Sequence, residues 1–112
     1  MFKYLELYTL YFEQKGIMLY PNGRVYEGEW QNDCKFGKGY ELFPNGNEYE
    51  GYFVNGKSEG VGTYTWANKE VYQGQWLGGF KHGSGIWKGT KGDSYIGEWN
   101  KGKADGYGVH TW

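Results

Sequence analysis

The sequence predicts an all-β fold, an elongated and twisted antiparallel meander that forms a solenoid-like ribbon of β-hairpin repeats. Three observations predict it. Glycine accounts for 21 of the 112 residues, against an average usage of about 7%, and glycine destabilises helix interiors. Aromatic residues make up 21% of the chain, which argues against disorder. A glycine-aromatic motif recurs every 23 residues, and a period of this length indicates a repeat architecture.

The repeated motif opens with Tyr-x-Gly-x-aromatic, where x is any residue. Its four copies begin at Tyr26, Tyr49, Tyr72 and Tyr95. A Gly-x-Gly sequence follows eleven residues after each of these tyrosines, and extending the register upstream adds a partial copy from Gly16. Nineteen of the 21 glycines fall on register positions. The glycines and the aromatic residues are therefore parts of one repeating unit.

The register divides the chain into a terminal segment and a repeat array. Residues 1–15 fit the repeat poorly, and we interpret them as a degenerate N-terminal cap that covers the first sheet edge, with strand favoured over helix. The array covers residues 16–112. It comprises a partial repeat at 16–25, repeats at 26–48, 49–71 and 72–94, and an incomplete repeat at 95–112.

Alternate residues of a strand lie on the same face. Tyr26, Gly28 and Trp30 therefore share one face, and the residues between them point away. The pair Asn45-Gly46 predicts a two-residue primed hairpin turn. Each unit is then a strand, a turn, a second strand and a second turn. Strands are expected near 24–31, 36–43, 47–54, 59–66, 70–77, 82–88, 93–100 and 105–112, with 16–20 ahead of them.

Consecutive strands joined by short turns form an antiparallel meander. A repeat that contacts only its neighbours gives a quasi-linear ribbon, whereas eight or nine twisted strands could instead close into a barrel. Glycine at fixed positions permits regular curvature, and we favour the open ribbon. The strand at 105–112 is then expected to have an unpaired edge, which is a template for another chain.

The motif resembles the MORN (membrane occupation and recognition nexus) repeat. The resemblance covers residues 16–112 and rests on Tyr-x-Gly-x-Trp, Gly-Lys and Gly-x-Gly at the 23-residue spacing. The copy that begins at Tyr95 is nearest to the family pattern, and the first copy departs from it at Asp33 and Cys34. The resemblance implies an elongated sheet of hairpins with an aromatic-lined groove. It also implies a repeat that is not itself an enzyme. Such a repeat binds partner proteins, associates with further copies of itself, or binds acidic phospholipid.

The aromatic residues of the motif are candidate partner-binding residues. One interpretation is that they pack against each other within the fold. The other is a groove that receives a helix or an extended peptide, because an open aromatic face usually marks an interface and Trp and Tyr are favoured there. The candidate groove residues, called the aromatic ladder below, are Tyr26, Trp30, Tyr49, Phe53, Tyr72, Trp76, Tyr95 and Trp99.

Lysine is concentrated in the later repeats. Residues 79–103 carry five lysines against two acidic residues, and basic clusters near an anionic membrane contribute about 1 kcal/mol per lysine. A solvated face is the alternative interpretation, because acidic residues interrupt the set. The candidate lipid-headgroup lysines are Lys57, Lys81, Lys88, Lys91, Lys101 and Lys103.

The other chemically active residues form no recognisable motif. The formal net charge of −1 disfavours nucleic-acid binding. His82 and His110 are 28 residues apart and Cys34 is the single cysteine, so we expect no metal site, no cofactor and no catalytic residue. A lone cysteine and a start without an uninterrupted apolar segment fit the cytoplasm.

Together these features predict a non-enzymatic scaffold or adaptor for protein–protein interaction. Its partners are expected to be other protein chains, bound through the aromatic ladder or the C-terminal edge strand, with self-association and an anionic membrane surface as further expectations. The resemblance suggests a cytoskeletal or ciliary (axonemal) assembly. The alternative is a peripheral module that binds acidic phospholipid and links a complex to a membrane. Carbohydrate stacking on exposed rings is a third class.

Overall fold

The structure, a computed structural model, describes residues 4–10 and 13–112, with side chains from residue 15 onward. In these ranges the chain forms ten β-strands and no helix, and the strands make one antiparallel sheet. They are β1 (Tyr4–Leu10), β2 (Glu13–Leu19), β3 (Val25–Gln31), β4 (Cys34–Leu42), β5 (Glu48–Val54), β6 (Lys57–Thr65), β7 (Val71–Leu77), β8 (Phe80–Lys88), β9 (Ser94–Asn100) and β10 (Lys103–Thr111).

The sheet is an open meander in which each strand pairs with the next, so the spatial order is the chain order. Among the described strands β1 and β10 do not pair, and the closed-barrel alternative is therefore wrong. The molecule measures 45 × 26 × 19 Å, which confirms an elongated shape. The second strand of each hairpin begins two residues earlier than the spacing suggests, because the turn before it has only two residues.

Two-residue turns join β3 to β4 and the equivalent later pairs. Asn32 and Asp33 have φ angles of 51° and 63°, and two successive left-handed residues define a type I′ turn. This turn twists in the same sense as the strands, so it closes each hairpin tightly. The equivalent turns are Asn55-Gly56, Gly78-Gly79 and Lys101-Gly102.

Three-residue loops join the remaining pairs from β2 onward. Gly46 N donates to Phe43 O (3.0 Å) and Phe43 N donates to Asn47 O (2.9 Å), and only Gly46 is left-handed in that loop, with φ 93°. This geometry is a type I turn followed by one left-handed residue. The primed turn predicted at Asn45-Gly46 is therefore wrong, because a three-residue loop needs positive φ at its last position alone.

The two glycines of each Gly-x-Gly have different structural roles. Gly37 has φ 65° and lies in a β-bulge, where β4 has two more residues than β3 between the paired positions. The second glycine, Gly39, pairs with Gly28 on one side and Gly51 on the other. The pairing continues across nine strands as the row Gly16, Gly28, Gly39, Gly51, Gly62, Gly74, Gly85, Gly97 and Gly108.

The buried side chains lie on one side of the sheet, called the inner face below because it bears the aromatic ladder. Tyr26 and Tyr72 have no exposed surface although no second layer covers them in the described residues. A flat single-layer sheet would leave its rings open, so the sheet must curve around them. The outer face bears the residues that alternate with the ladder, among them Glu27, Glu50 and Ile96.

Candidate functional site

The aromatic ladder provides most of the buried core of the described chain. Seven of its eight side chains are buried, and Tyr95 is half-buried. Tyr26 meets Trp30 of its own repeat at 5.0 Å and Phe53 of the next at 5.2 Å, both edge-to-face, an arrangement that aromatic pairs prefer. Tyr49 and Tyr72 repeat the pattern. The ladder therefore presents little surface, and its role in partner binding stays a prediction.

The ladder tyrosines lie directly over the glycine row. A Cβ atom at Gly62 would lie only 2.6 Å from Cε1 of Tyr49, so the ring fits only because position 62 has no side chain. The phenol of Tyr72 donates to Gln75 O (2.9 Å), and Tyr49 makes the equivalent bond to Tyr52 O. Burial raises the pKa of Tyr72 to about 12. The motif thus couples a buried phenol to an adjacent glycine.

Six partly buried aromatic residues border this core on the inner face. They pack against the buried rings and keep part of their own surface exposed, as in the contact between Tyr64 and Trp66, whose centroids are 4.8 Å apart. They are the aromatic residues that pack on the core and still keep surface open to a partner. These residues, called the half-buried strip below, are Tyr20, Phe43, Tyr64, Trp66, Trp87 and Tyr95.

A buried ion-pair cluster lies on the inner face of the first repeat. Glu41 is only 4% exposed, and both its carboxylate oxygens accept from Lys35 Nζ at 3.0 and 3.1 Å. Arg24 Nε lies 3.1 Å from the same carboxylate, without the alignment of a hydrogen bond. Lys35 Nζ also lies over the rings of Tyr26 (5.6 Å) and Phe53 (5.3 Å).

Lys81 occupies the corresponding place two repeats later. Its Nζ lies 4.7 Å from the ring centroid of Trp99, 5.3 Å from that of Trp66 and 5.6 Å from that of Tyr72, which is the range of cation–π contact. Desolvation lowers the pKa of Lys81, and the charge of Glu70 opposes that shift. Lys81 was a candidate lipid contact, but the structure places it among aromatic rings.

The other candidate lipid lysines are exposed and do not form one patch. Lys88 and Lys91 lie at the β8–β9 loop, whereas Lys101 and Lys103 lie at the β9–β10 turn. The seven residues of β9 separate these two ends by about 20 Å. Lys57 begins β6, beside a tight turn. The structure therefore separates the pair Lys88 and Lys91 from the pair Lys101 and Lys103.

An inner-face cavity of about 140 Å³ lies in the second repeat. Its wall includes Ser58, Tyr49 and Trp76. Ser58 follows its ladder tyrosine by nine residues, as Lys35 and Lys81 follow theirs. Sequence reasoning missed this position, although the 23-residue register contains the signal: it reads Lys35, Ser58, Lys81 and Ala104 in successive repeats.

The outer face bears acidic side chains near β3 and β5 and aliphatic side chains on β8 to β10. Near β3 and β5 it bears Glu27 and Glu50, whereas Ile86, Ile96 and Val109 are cross-strand neighbours on β8, β9 and β10. Every residue of β10 is exposed. This end of the sheet therefore exposes apolar side chains on its outer face.

The described residues contain no helix that is long and apolar enough to cross a membrane. No group of three His, Cys, Asp or Glu side chains is arranged to hold a metal ion in the same residues. Cys34 is a free, half-buried cysteine.

Comparison with models of protein families gives four consecutive matches. The family model described as MORN repeat matches residues 26–48, 49–71, 72–94 and 95–112. A search of curated proteins found no match. Repeats of this family generally mediate protein or membrane-lipid interactions and are generally non-enzymatic.

Proposed function

Because the chain belongs to the MORN repeat family, we propose that it is a scaffold or adaptor that binds a partner protein along its inner face. The observation that carries the proposal is the half-buried strip, whose rings are anchored on the core and still open to contact. A cytoplasmic location in a cytoskeletal or ciliary assembly is part of the proposal and is supported by the family resemblance.

Trp66 is the residue of the strip on which partner binding should depend most. Trp and Tyr are enriched among the residues that dominate binding energy, especially where neighbouring contacts exclude water. Tyr64 packs against Trp66 at 4.8 Å and Lys81 lies over its ring, so Trp66 is held in place before a partner arrives. A pre-ordered side chain loses little rotamer entropy on binding.

Site-specific photo-crosslinking tests the proposal. The photoreactive residue p-benzoylphenylalanine replaces Trp66 on the inner face in one variant and Ile96 on the outer face in the other. Ile96 is 54% exposed and apolar, which makes it a demanding control. We expect one recurrent protein to crosslink from position 66 and not from position 96, and Trp66→Ala to weaken binding of that protein by about tenfold or more.

Crosslinks to the same protein from position 96 alone would contradict an inner-face site. The acidic-phospholipid alternative is tested separately by flotation with neutral vesicles and with vesicles containing phosphatidylserine. Lipid binding that rises with anionic lipid and is lost at high salt, together with no protein crosslink from either position, would replace the scaffold proposal by the membrane one.

A further inference from the structure

Two repeats fill one place on the inner face with their own lysine, and the repeat between them leaves it empty. Lys81 Nζ lies over Trp99, Trp66 and Tyr72. Counting back 23 residues from each of these rings leads to Trp76, Phe43 and Tyr49. All three line the cavity of the second repeat. The residue that would bring the ammonium group there is Ser58, whose side chain is too short to fill it.

The backbone around the two positions is the same. Gly79 N donates to Ser58 O at 3.0 Å, and Gly102 N donates to Lys81 O at 3.0 Å. The ladder pairs also match, because Tyr49 meets Trp76 at 5.3 Å and 87° whereas Tyr72 meets Trp99 at 5.2 Å and 84°. Two rings of the Lys81 cage therefore keep their mutual arrangement in the second repeat, Phe43 takes the place of Trp66, and Ser58 takes the place of the lysine.

We propose that this cage, formed by Phe43, Tyr49, Tyr64 and Trp76 around Ser58, binds a lysine side chain of the partner protein. In the next repeat the equivalent rings present their faces to the ammonium group of Lys81. The Ser58 hydroxyl and the Glu41 carboxylate are oxygen acceptors on the cavity wall. Glu41 is already paired with Lys35 and Arg24, so the rings rather than a free charge provide the attraction.

The size of the cavity is consistent with a side chain of this kind. Its volume of about 140 Å³ exceeds that of one water molecule, which occupies about 30 Å³ of liquid, and the ring faces suit the methylene stem as well as the head. The aromatic carbon of its wall offers water no hydrogen-bond partner. A lysine side chain would cover these rings and place its cation among them, as Lys81 does in the next repeat.

Titration of the ¹⁵N-labelled chain with short peptides tests the cage. The probes are acetyl-Gly-Lys-Gly-amide and its uncharged analogue in which norleucine replaces lysine. The Trp76 indole N–H, which donates to Gly62 O at 3.1 Å, reports on the cage. The Trp99 indole N–H, which donates to Gly85 O at 3.2 Å, is the internal control because Lys81 already occupies its cage.

We expect the lysine peptide to shift the Trp76 signal and to leave Trp99 unchanged, with the norleucine peptide binding about fivefold or more weakly. Ser58→Lys should fill the cage and abolish the Trp76 response. Lys81→Ser should empty the next cage, so that the Trp99 signal then responds to the lysine peptide. The two variants are reciprocal, and the comparison of peptides on the unaltered chain needs neither variant.

Equal responses to both peptides, a response that survives Ser58→Lys, or no gain at Trp99 in Lys81→Ser would overturn the cage. The inference rests on the proposed role of the inner face, but the titration uses the chain without a partner. A failed titration with a successful crosslink from position 66 removes the cage and keeps the scaffold. The reverse result keeps the lysine-binding cage and removes its assignment to a partner protein on the inner face.

Discussion

Lys35 Nζ lies 3.0 and 3.1 Å from the two carboxylate oxygens of Glu41. One ammonium group therefore donates hydrogen bonds to both oxygens of a buried carboxylate. A buried charge is costly unless it is paired and hydrogen-bonded. Arg24 provides a second cation at 3.1 Å, but its side chain is 33% exposed whereas that of Lys35 is 14% exposed. Lys35 is therefore the main partner of Glu41.

Lys35→Met should lower the free energy of unfolding by about 1–3 kcal/mol, because it leaves Glu41 without its buried hydrogen-bond donor while the apolar stem is retained. Urea denaturation at pH 7 measures the change. Lys38→Met is the matched control on the exposed side of the same strand, and a change within about 0.5 kcal/mol is expected there. Equal effects of the two substitutions would show that the ion pair is not stabilising.

The glycine row should be sensitive to a single added methyl group. Gly62→Ala places a Cβ against the Tyr49 ring, and overpacking of this kind costs about 1–3 kcal/mol. Combining it with Tyr49→Leu should recover part of that loss, since the smaller side chain vacates the space. Both are measured by chemical denaturation in a double-mutant cycle. Additive effects of the two substitutions would refute the direct contact.

The buried phenols predict loss of stability at alkaline pH. Burial raises the pKa of Tyr72 from the ordinary value of 10 to about 12, and it raises the pKa of Tyr26 and Tyr49 as well. The folded state then holds protons that the unfolded state releases. The stabilisation is complete below pH 10 and is lost as the pH rises from 10 towards 12.

Above pH 10, each such phenol makes the free energy of unfolding decrease by up to about 1.4 kcal/mol more per pH unit. Tyr72→Phe should reduce the slope above pH 10 by about that amount, and leave it unchanged between pH 7 and 8, where phenols stay protonated. Denaturant titrations across the pH range measure both regions. An unchanged slope above pH 10 would mean that the Tyr72 phenol is not protected from ionisation.

The register of the sequence was sufficient to predict the sheet, because tyrosine and glycine at fixed spacing repeat the same packing in each unit. It predicted which residues share a face, as with Tyr26 and Trp30. It did not predict how strongly the sheet curves, and curvature decides whether those rings are a groove or a core. The same alternation of aromatic residues and glycine is expected whether the rings line an open groove or form a closed core.

Two other features of the structure do not follow from the sequence pattern. Asn45-Gly46 is compatible with two loop types, and the number of loop residues depends on where the strands stop pairing. Lys81 looks like a surface lysine in the sequence, because two of the rings around it, Trp66 and Trp99, come from other parts of the register. Contacts between repeats are set by the curved sheet, so local composition does not reveal them.

Lys69 provides a stability test at the loops. It has φ 81°, whereas Gly23, Gly46 and Gly92 occupy the equivalent positions of other repeats with φ from 87° to 94°. A left-handed conformation costs a side-chain-bearing residue about 1–2 kcal/mol, and the greater freedom of glycine in the unfolded chain offsets about 0.4–1 kcal/mol of that. Lys69→Gly should therefore raise the free energy of unfolding by about 0.5–1 kcal/mol.

Gly92→Lys is the reciprocal substitution, since a Cβ there meets nothing within 4 Å and the backbone alone decides the outcome. It should lower the free energy of unfolding by a similar amount. Thermal and urea denaturation measure the change in the free energy of unfolding of each variant relative to the unaltered chain. A destabilised Lys69→Gly variant would mean that the lysine side chain makes contacts in this loop that outweigh its backbone strain.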